Sequence, residues 1–585
     1  MSTAVPTVGR RRSQYARIEV LPANRSRHGR GDASPPGHCV KSRLRHPHRA
    51  VLARVLRLPP GRHAYTVSRA RVPMRDGVQL LTHVYSPLSG SSGTVLLRTP
   101  YGLDGPIAQL TAGFFAGHGY RVVNQGCRGT SGSGGELDPF GQERADGADA
   151  VAWLRRQPWL DGRFALWGAS YLGHAAWAVM ADPPPELVAA VVAISGHDAH
   201  RGAHGTGAFS LEEVVGLMDA LGHLEDGAIR QVARAATSSR RLRPAYEDLP
   251  LVNAQDTVFA GSRMPYADWL LASDAESPVW RDLRLGLALE RVTVPVLLQA
   301  GWQDRFPTQM LEEYDRLRER DVEVGLTIGP WTHVETATKG GAIIMAEALD
   351  WLAVHLAGAG GPARPSPVRI FVTGAREWRN LEAWPPPTGE RVFHLQPGGG
   401  LGVTAPPSSA GPTTFTYDPS DPTPAVGGQV INPAIGGRRD NRRLEGRPDV
   451  ATFTSPPLTE PLEVVGSPVV EVVHETDNPY ADLFVRVCEV EQDGRSVNVS
   501  DGFVRLGPDD ANGTITLRLD AVAHRFTPGN RLRLQVSGGA HPRYARNLGT
   551  DQDPATSTDL APSTRKICHG DGGFSRVHLP CSRRT

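Results

Sequence analysis

Between residues 64 and 365 the chain alternates short Val/Leu-rich runs with amphipathic stretches, and this alternation limits what it can fold into. TVLLRT (94–99), RVVNQ (121–125), RFALW (163–167), LVAAVVAIS (187–195), PVLLQA (295–300) and EVGLTIG (323–329) read as strands covered on both faces. Between them, ERADGADAVAWLRRQ (143–157), PTQMLEEYDRLRER (307–320) and AIIMAEALDWLAVHL (342–356) carry helical faces. Strand–helix alternation of this kind predicts an α/β fold with a mostly parallel sheet. From about 197 to 290 the strand runs stop and the pattern turns helical, which predicts an insertion into the sheet's connections. Beyond GAGGPARPSP (358–367) short alternating runs such as VRIFVTG, SPVVEVVHE and NRLRLQVSGG take over, as in an antiparallel β-sandwich or jelly roll. VTAPPSSAGPTTFTYDPSDPTPAVGG (403–428) reads as a Pro/Gly-rich arm without regular structure.

The expected organisation is a basic N-terminal extension at 1–63, an α/β core at 64–196 and 291–365, a helical cap at 197–290 and a β-domain at 366–585. A chain of 585 residues with 40% hydrophobic content can bury several such cores. Residues 1–63 hold 14 Lys/Arg against only Glu19 and Asp32, so the body of the protein is acidic and nucleic acid is not an expected partner. The basic segment has no apolar h-region, and no run of about 18 apolar residues exists. A cytoplasmic protein without membrane contact is expected. The five cysteines, Cys39, Cys127, Cys488, Cys568 and Cys581, form no C-x-x-C pair or zinc spacing. Their scatter suggests a reducing compartment, though Cys568 and Cys581 could pair in an oxidising one. No metal or cofactor is expected.

The stretch RFALWGASYLGH (163–174) puts Ser170 between a predicted strand and a predicted helix, flanked by Gly168 and Ala169. A nucleophile elbow needs such a joint, with small neighbours and a helix N-terminus facing developing negative charge. Its usual form is G-x-S-x-G, whereas the second glycine here is Gly173, so an ordinary helix N-cap stays open on these residues alone. Asp304 follows PVLLQA and His333 follows EVGLTIG by a few residues each, in the order Ser, Asp, His. His333, with an ordinary pKa near about 6.5, can take the serine proton, and Asp304 can orient the imidazole. Oxyanion donors are expected from the backbone N–H of Tyr171 and from Tyr101 in the loop RTPYGLDG.

Several stretches together resemble the CocE/NonD hydrolases, the family of cocaine esterases and X-prolyl dipeptidyl-peptidases. They include RVPMRDGVQLLTHVY, LLRTPYG, CRGTSGSGGE, QPWLDGRFALWGASYLG, AGWQDRF, GPWTH, YDPSDPTPAVGG and HPRYARNLGT, spread over about 70–550 in the family's order. The resemblance implies an α/β-hydrolase core, an inserted helical cap and a C-terminal jelly roll of galactose-binding-like type. It implies a triad of Ser170, Asp304 and His333, an oxyanion hole of Tyr101 and Tyr171, and Phe306 on the acyl pocket. The displaced glycine at 173 is the family's own pattern. NQGCRG departs from it, with Gly126 where an aspartate is usual, and altered support around Arg128 is expected.

The expected activity is hydrolysis of acyl ester or amide bonds in small substrates through an acyl-enzyme. The alternatives are an X-Pro dipeptidyl-peptidase and an α-amino-acid ester hydrolase or acyltransferase. The expected partner is a small ester or short peptide, with a homodimer as a further possibility. An exopeptidase needs a carboxylate for the substrate's free amine, and Asp198, Glu212, Glu213 and Asp219 are the candidates. A third reading makes the chain a carbohydrate-binding protein with an inert core, which an intact triad argues against. GTSGSGG (129–135) lacks the Lys-Ser/Thr of a phosphate-binding loop, and Asp493-Gly494 reads as a turn, not a calcium site.

Overall fold

The computed structural model describes residues 53–570 and 572–582. Most of the basic extension, including Cys39, lies outside them. The first sheet comprises β1 (Tyr65–Pro73), β2 (Gln79–Pro87), β3 (Thr94–Thr99), β4 (Arg121–Gly126), β5 (Phe164–Ala169), β6 (Leu187–Ala193), β7 (Val296–Gly301), β8 (Val324–Gly329), β9 (Val368–Val372) and β10 (Glu377–Leu381). Its order is β1-β2-β4-β3-β5-β6-β7-β8-β9-β10. Pairs from β4 to β9 are parallel, and antiparallel pairs close both edges. Alternate side chains feed two apolar layers. Leu96, Leu166 and Leu298 pack with Trp177, Met310 and Leu317, whereas Leu97, Trp167 and Leu297 pack with Phe115, Trp351 and Leu352. Burial on both faces explains why these strands read as continuous apolar runs.

One boundary moves. VRIFVTG, which we place by sequence in the β-domain, supplies β9, which pairs in parallel with β8. Val368, Ile370 and Val372 are buried while Arg369 and Phe371 are half-buried, so this strand next to the sheet's edge alternates like a sandwich strand. The core sheet therefore runs to Leu381 instead of ending at 365.

Between β6 and β7 the described chain forms helices at Ala199–His204, Leu211–Gly222, Ala228–Arg241 and Tyr266–Leu271, with shorter turns. The helices Ala199–His204, Leu211–Gly222 and Tyr266–Leu271 share an apolar cluster of Ala203, Phe209, Val214, Met218, Trp269 and Trp280 with Tyr171 beneath them. Beyond Thr388 the chain is almost wholly β, with thirteen strands linked in one hydrogen-bonded sheet around Leu395, Phe453, Val485, Leu532 and Ile567. The arm expected to lack structure contains a strand, Thr413–Tyr417, paired antiparallel with Ser563–Ile567. Its Thr-rich TTFTY is a good strand sequence that the surrounding prolines obscure. Cys127, Cys488, Cys568 and Cys581 are free thiols. Among the described residues no helix is long and apolar enough to cross a membrane.

Two polar clusters tie the β-domain together. Asp501, buried at 3%, accepts from Arg486 Nε at 2.6 Å and from Arg543 Nη1 at 2.7 Å. Glu489 accepts from Thr527 N at 2.9 Å and Asn530 Nδ2 at 2.8 Å, and lies 3.1 Å from His524 Nε2. Burial alone would raise the Glu489 carboxyl, but the bond to His524 and the other donors hold it at about 2, below its ordinary 4.5. A carboxyl depressed in the folded state stabilises above its unfolded pKa and loses that stabilisation as pH falls towards its folded one. Acidification below the ordinary carboxylate range should therefore cost the wild type more stability than Glu489→Gln. Denaturant midpoints measured through that acidification check this.

Candidate active site

Strand β5 ends at Ala169 and the helix Tyr171–Met180 starts two residues later, leaving Ser170 to make the whole turn. It does so with φ +57° and ψ −125°, a conformation that costs a non-glycine residue about 1–3 kcal/mol. The turn is that tight because of its neighbours. A Cβ on Gly168 would lie 2.1 Å from the Leu172 carbonyl oxygen, and one on Gly173 would lie 2.5 Å from Ser195 Cβ. Glycine is thus needed at 173, where helix meets β6, while Leu172 packs among the apolar residues of the layer below.

Asp304 and His333 arrive on the loops after β7 and β8. These loops cross closely: a Cβ on Gly301 would meet the Trp331 carbonyl oxygen at 2.2 Å. Asp304 is fully buried, and its Oδ1 lies 2.8 Å from His333 Nδ1. His333 opens a short helix capped by Thr332 and Glu335, and its Nε2 lies 3.1 Å from Ser170 Oγ. A carboxylate can only accept, so Nδ1 carries the proton and Nε2 is free to accept from the serine hydroxyl.

The Tyr101 hydroxyl stands 3.5 Å from Ser170 Oγ. Burial raises the Tyr101 pKa, so the phenol keeps its proton as a donor. The Tyr171 side chain turns away, donating to Glu143 at 2.9 Å and accepting from Phe140 N at 3.0 Å. Phe306 lies 5.8 Å from His333 between ring centroids.

These residues open onto a cavity of about 670 Å³ including its mouth, walled by Phe140, Leu217, Trp269, Phe306 and Ile431. Sequence reasoning did not find Phe140, Trp269 or Ile431. Ile431 follows the β-domain's Pro/Gly-rich arm, more than 260 positions after Ser170, and no local signal marks it. Of the carboxylates proposed for an amine, Asp198 and Glu213 line the cavity. Asp198 caps the helix Ala199–His204 and lies 3.5 Å from Arg284, and Glu213 is ion-paired with Arg305. Glu212 is buried beside Asn432, and Asp219 is held by Arg234 and Arg241 outside the cavity.

Arg128 does not need an acid at 126. Its guanidinium grips Asp146 through two bonds, 2.6 and 3.1 Å, and Asp76 through a third at 2.6 Å. The glycine-rich loop after β4 faces a carboxylate, since Ser131 N donates to Glu225 of the cap at 2.6 Å. That contact ties cap to core. Among the described residues no group of three or more His, Cys, Asp or Glu is placed to hold a metal ion.

A parallel sheet with its crossover helices, a serine at a strained strand–helix joint and an inserted cap define an α/β-hydrolase with a C-terminal all-β domain. The comparisons agree. The X-Pro dipeptidyl-peptidase (S15 family) matches residues 76–335, and the X-Pro dipeptidyl-peptidase C-terminal non-catalytic domain matches 361–577. Cocaine esterase of Rhodococcus sp. (strain MB1 Bresler) is 28% identical over 88% of this chain and 98% of its own length. Among solved structures, an aminopeptidase from the marine sediment archaeon Thaumarchaeota archaeon superposes with TM-score 0.75 at 22% identity, over 89% of this chain and 96% of its own. An α-amino acid ester hydrolase does so with TM-score 0.72 at 22% identity, over 89% and 97%. The chain thus carries an S15-type hydrolase domain followed by that family's C-terminal domain, and it is similar to the cocaine esterases.

Proposed function

We propose that the chain is a serine esterase that transfers small acyl groups to water through an acyl-enzyme on Ser170. The observation that carries this reading is the unbroken run Asp304–His333–Ser170, with contacts of 2.8 and 3.1 Å. His333 Nε2 takes the serine proton as Oγ attacks the ester carbonyl, then returns it to the leaving alkoxide. Water repeats the cycle on the acyl-enzyme. The backbone N–H of Tyr171 and the phenol of Tyr101 donate to the oxyanion, and the N-terminus of the helix behind them adds favourable potential. Asp304 keeps the imidazole in the tautomer this needs.

Removal of one oxyanion donor has a separable signature. Tyr101→Phe should lower kcat by about 100-fold with a much smaller change in KM, because the bond matters mainly in the transition state. Steady-state kinetics on p-nitrophenyl acetate read it out.

The exopeptidase reading is supported by Asp198 and Glu213 on the cavity wall. Both already answer cationic or N–H partners, so a substrate ammonium would have to displace arginine contacts. This favours the esterase. A paired assay of short-chain p-nitrophenyl esters against Ala-Pro-p-nitroanilide decides: faster release of p-nitroaniline, compared by kcat/KM, would replace the esterase reading with the peptidase.

A further inference from the structure

The catalytic cavity contains a buried polar atom that the protein leaves without a partner. His174 lies one helical turn beyond the nucleophile, its backbone N–H donating to the Ser170 carbonyl at 3.2 Å. The turn that positions the serine therefore also positions this ring. The side chain is only 4% exposed, packs edge-on against Phe140 at 4.6 Å and lines the cavity with Ser170 and Asp198. Its Nδ1 lies 3.4 Å from the Gly196 carbonyl oxygen. A carbonyl can only accept, so Nδ1 is the protonated nitrogen and Nε2 carries a lone pair. Nε2 is buried and has no hydrogen-bond partner among the described residues.

The polar neighbours do not supply one. Gln309 spends both ends of its amide on the Asp198 backbone, each at 3.0 Å. Asp198 accepts from Arg201 N, and Glu213 is taken by Arg305. Burial, reinforced by nearby His197, pushes His174 down to about 4, so at neutral pH it is an uncharged acceptor. An acceptor sealed into a cavity wall costs free energy unless something donates to it.

We propose that His174 Nε2 accepts a hydrogen bond from a hydroxyl on the substrate's acyl chain, making hydroxyacyl esters the preferred substrates of this site. The inference rests on the esterase reading above and narrows it. A neutral acceptor suits a hydroxyl better than an ammonium ion, which on losing water needs a counter-charge, and the wall's carboxylates are already paired. Phe140, Trp269 and Phe306 would cover the hydrocarbon of the same acyl chain.

The test is a matched set of p-nitrophenyl esters on the full-length protein: 3-hydroxybutanoate, 3-methylbutanoate and 3-aminobutanoate. The first two differ only by hydroxyl for methyl. The wild type should favour the hydroxy ester by about 10-fold or more in kcat/KM, the scale of one unmatched buried acceptor. In His174→Leu that ratio should collapse towards one, and in His174→Gln, which retains an acceptor, it should recover in part. The ratio is the readout, so a general loss of rate in either variant does not mimic the effect. Should His174→Leu not fold, His174→Phe takes its place. A wild-type ratio near one, a ratio unchanged by the substitution, or a preference for the amino ester overturns the proposal. Labelling of Ser170 by a fluorophosphonate, with turnover of any of the three esters, keeps the esterase reading standing in those cases. Absence of both in the folded wild type removes that reading and this one with it.

Discussion

Ser170→Ala should reduce kcat on p-nitrophenyl acetate by about 10⁴-fold or more and abolish fluorophosphonate labelling, with the fold unchanged. The methyl group keeps the turn's volume, and the strained φ of +57° is a property of the backbone, so the site loses its nucleophile and little else. Asp304→Asn should approach the same loss, about 10⁴-fold, for a different reason. The amide can donate to His333 Nδ1 and so favour the tautomer whose Nε2 carries the proton. That tautomer cannot accept from Ser170. A doubled substitution should be barely worse than either single one, because the groups act as a unit. Turnover surviving Ser170→Ala at a comparable rate would refute the assignment.

Asp501→Ala should give the largest loss of stability, about 3–5 kcal/mol. The carboxylate stands between the buried guanidinium groups of Arg486 and Arg543, and its removal leaves two desolvated cations facing each other. The arm that brings Ile431 to the cavity rests on the same cluster: a Cβ on Gly428 would lie 2.2 Å from Asp501 Oδ2. The substitution should therefore lower Tm by differential scanning fluorimetry and also raise KM for the esters. An unchanged Tm would show that the arginines find other acceptors.

What could be read in the chain follows from burial. Strands β3 to β8 and the helices behind them are legible because two-sided coverage demands continuous apolar runs, and the crossover helices demand one apolar face. Strand β9 was misplaced because it sits near the sheet's edge, where alternation returns. Thr413–Tyr417 was missed because prolines around it imitate a loop. At the site, Ser170, Asp304 and His333 could be picked out as each sits just past a strand end, and the three meet within hydrogen-bond distance. Tyr101 could be found for the same reason.

The sequence by itself determined the central strands of the sheet and placed Ser170, Asp304 and His333 in that order just past strand ends, since each depends on short-range patterns of apolar and small residues. The tertiary structure alone decided the cavity. Phe140, Trp269 and Ile431 come from a core loop, the cap and the β-domain, and their meeting depends on packing between segments hundreds of residues apart. It also decided which of the cap's carboxylates face that cavity. His174, visible from the start at the end of RFALWGASYLGH, acquired a meaning only when its surroundings showed one nitrogen bonded and the other bare. Hydrogen-bond satisfaction is a property of the folded environment, which residue identity does not encode.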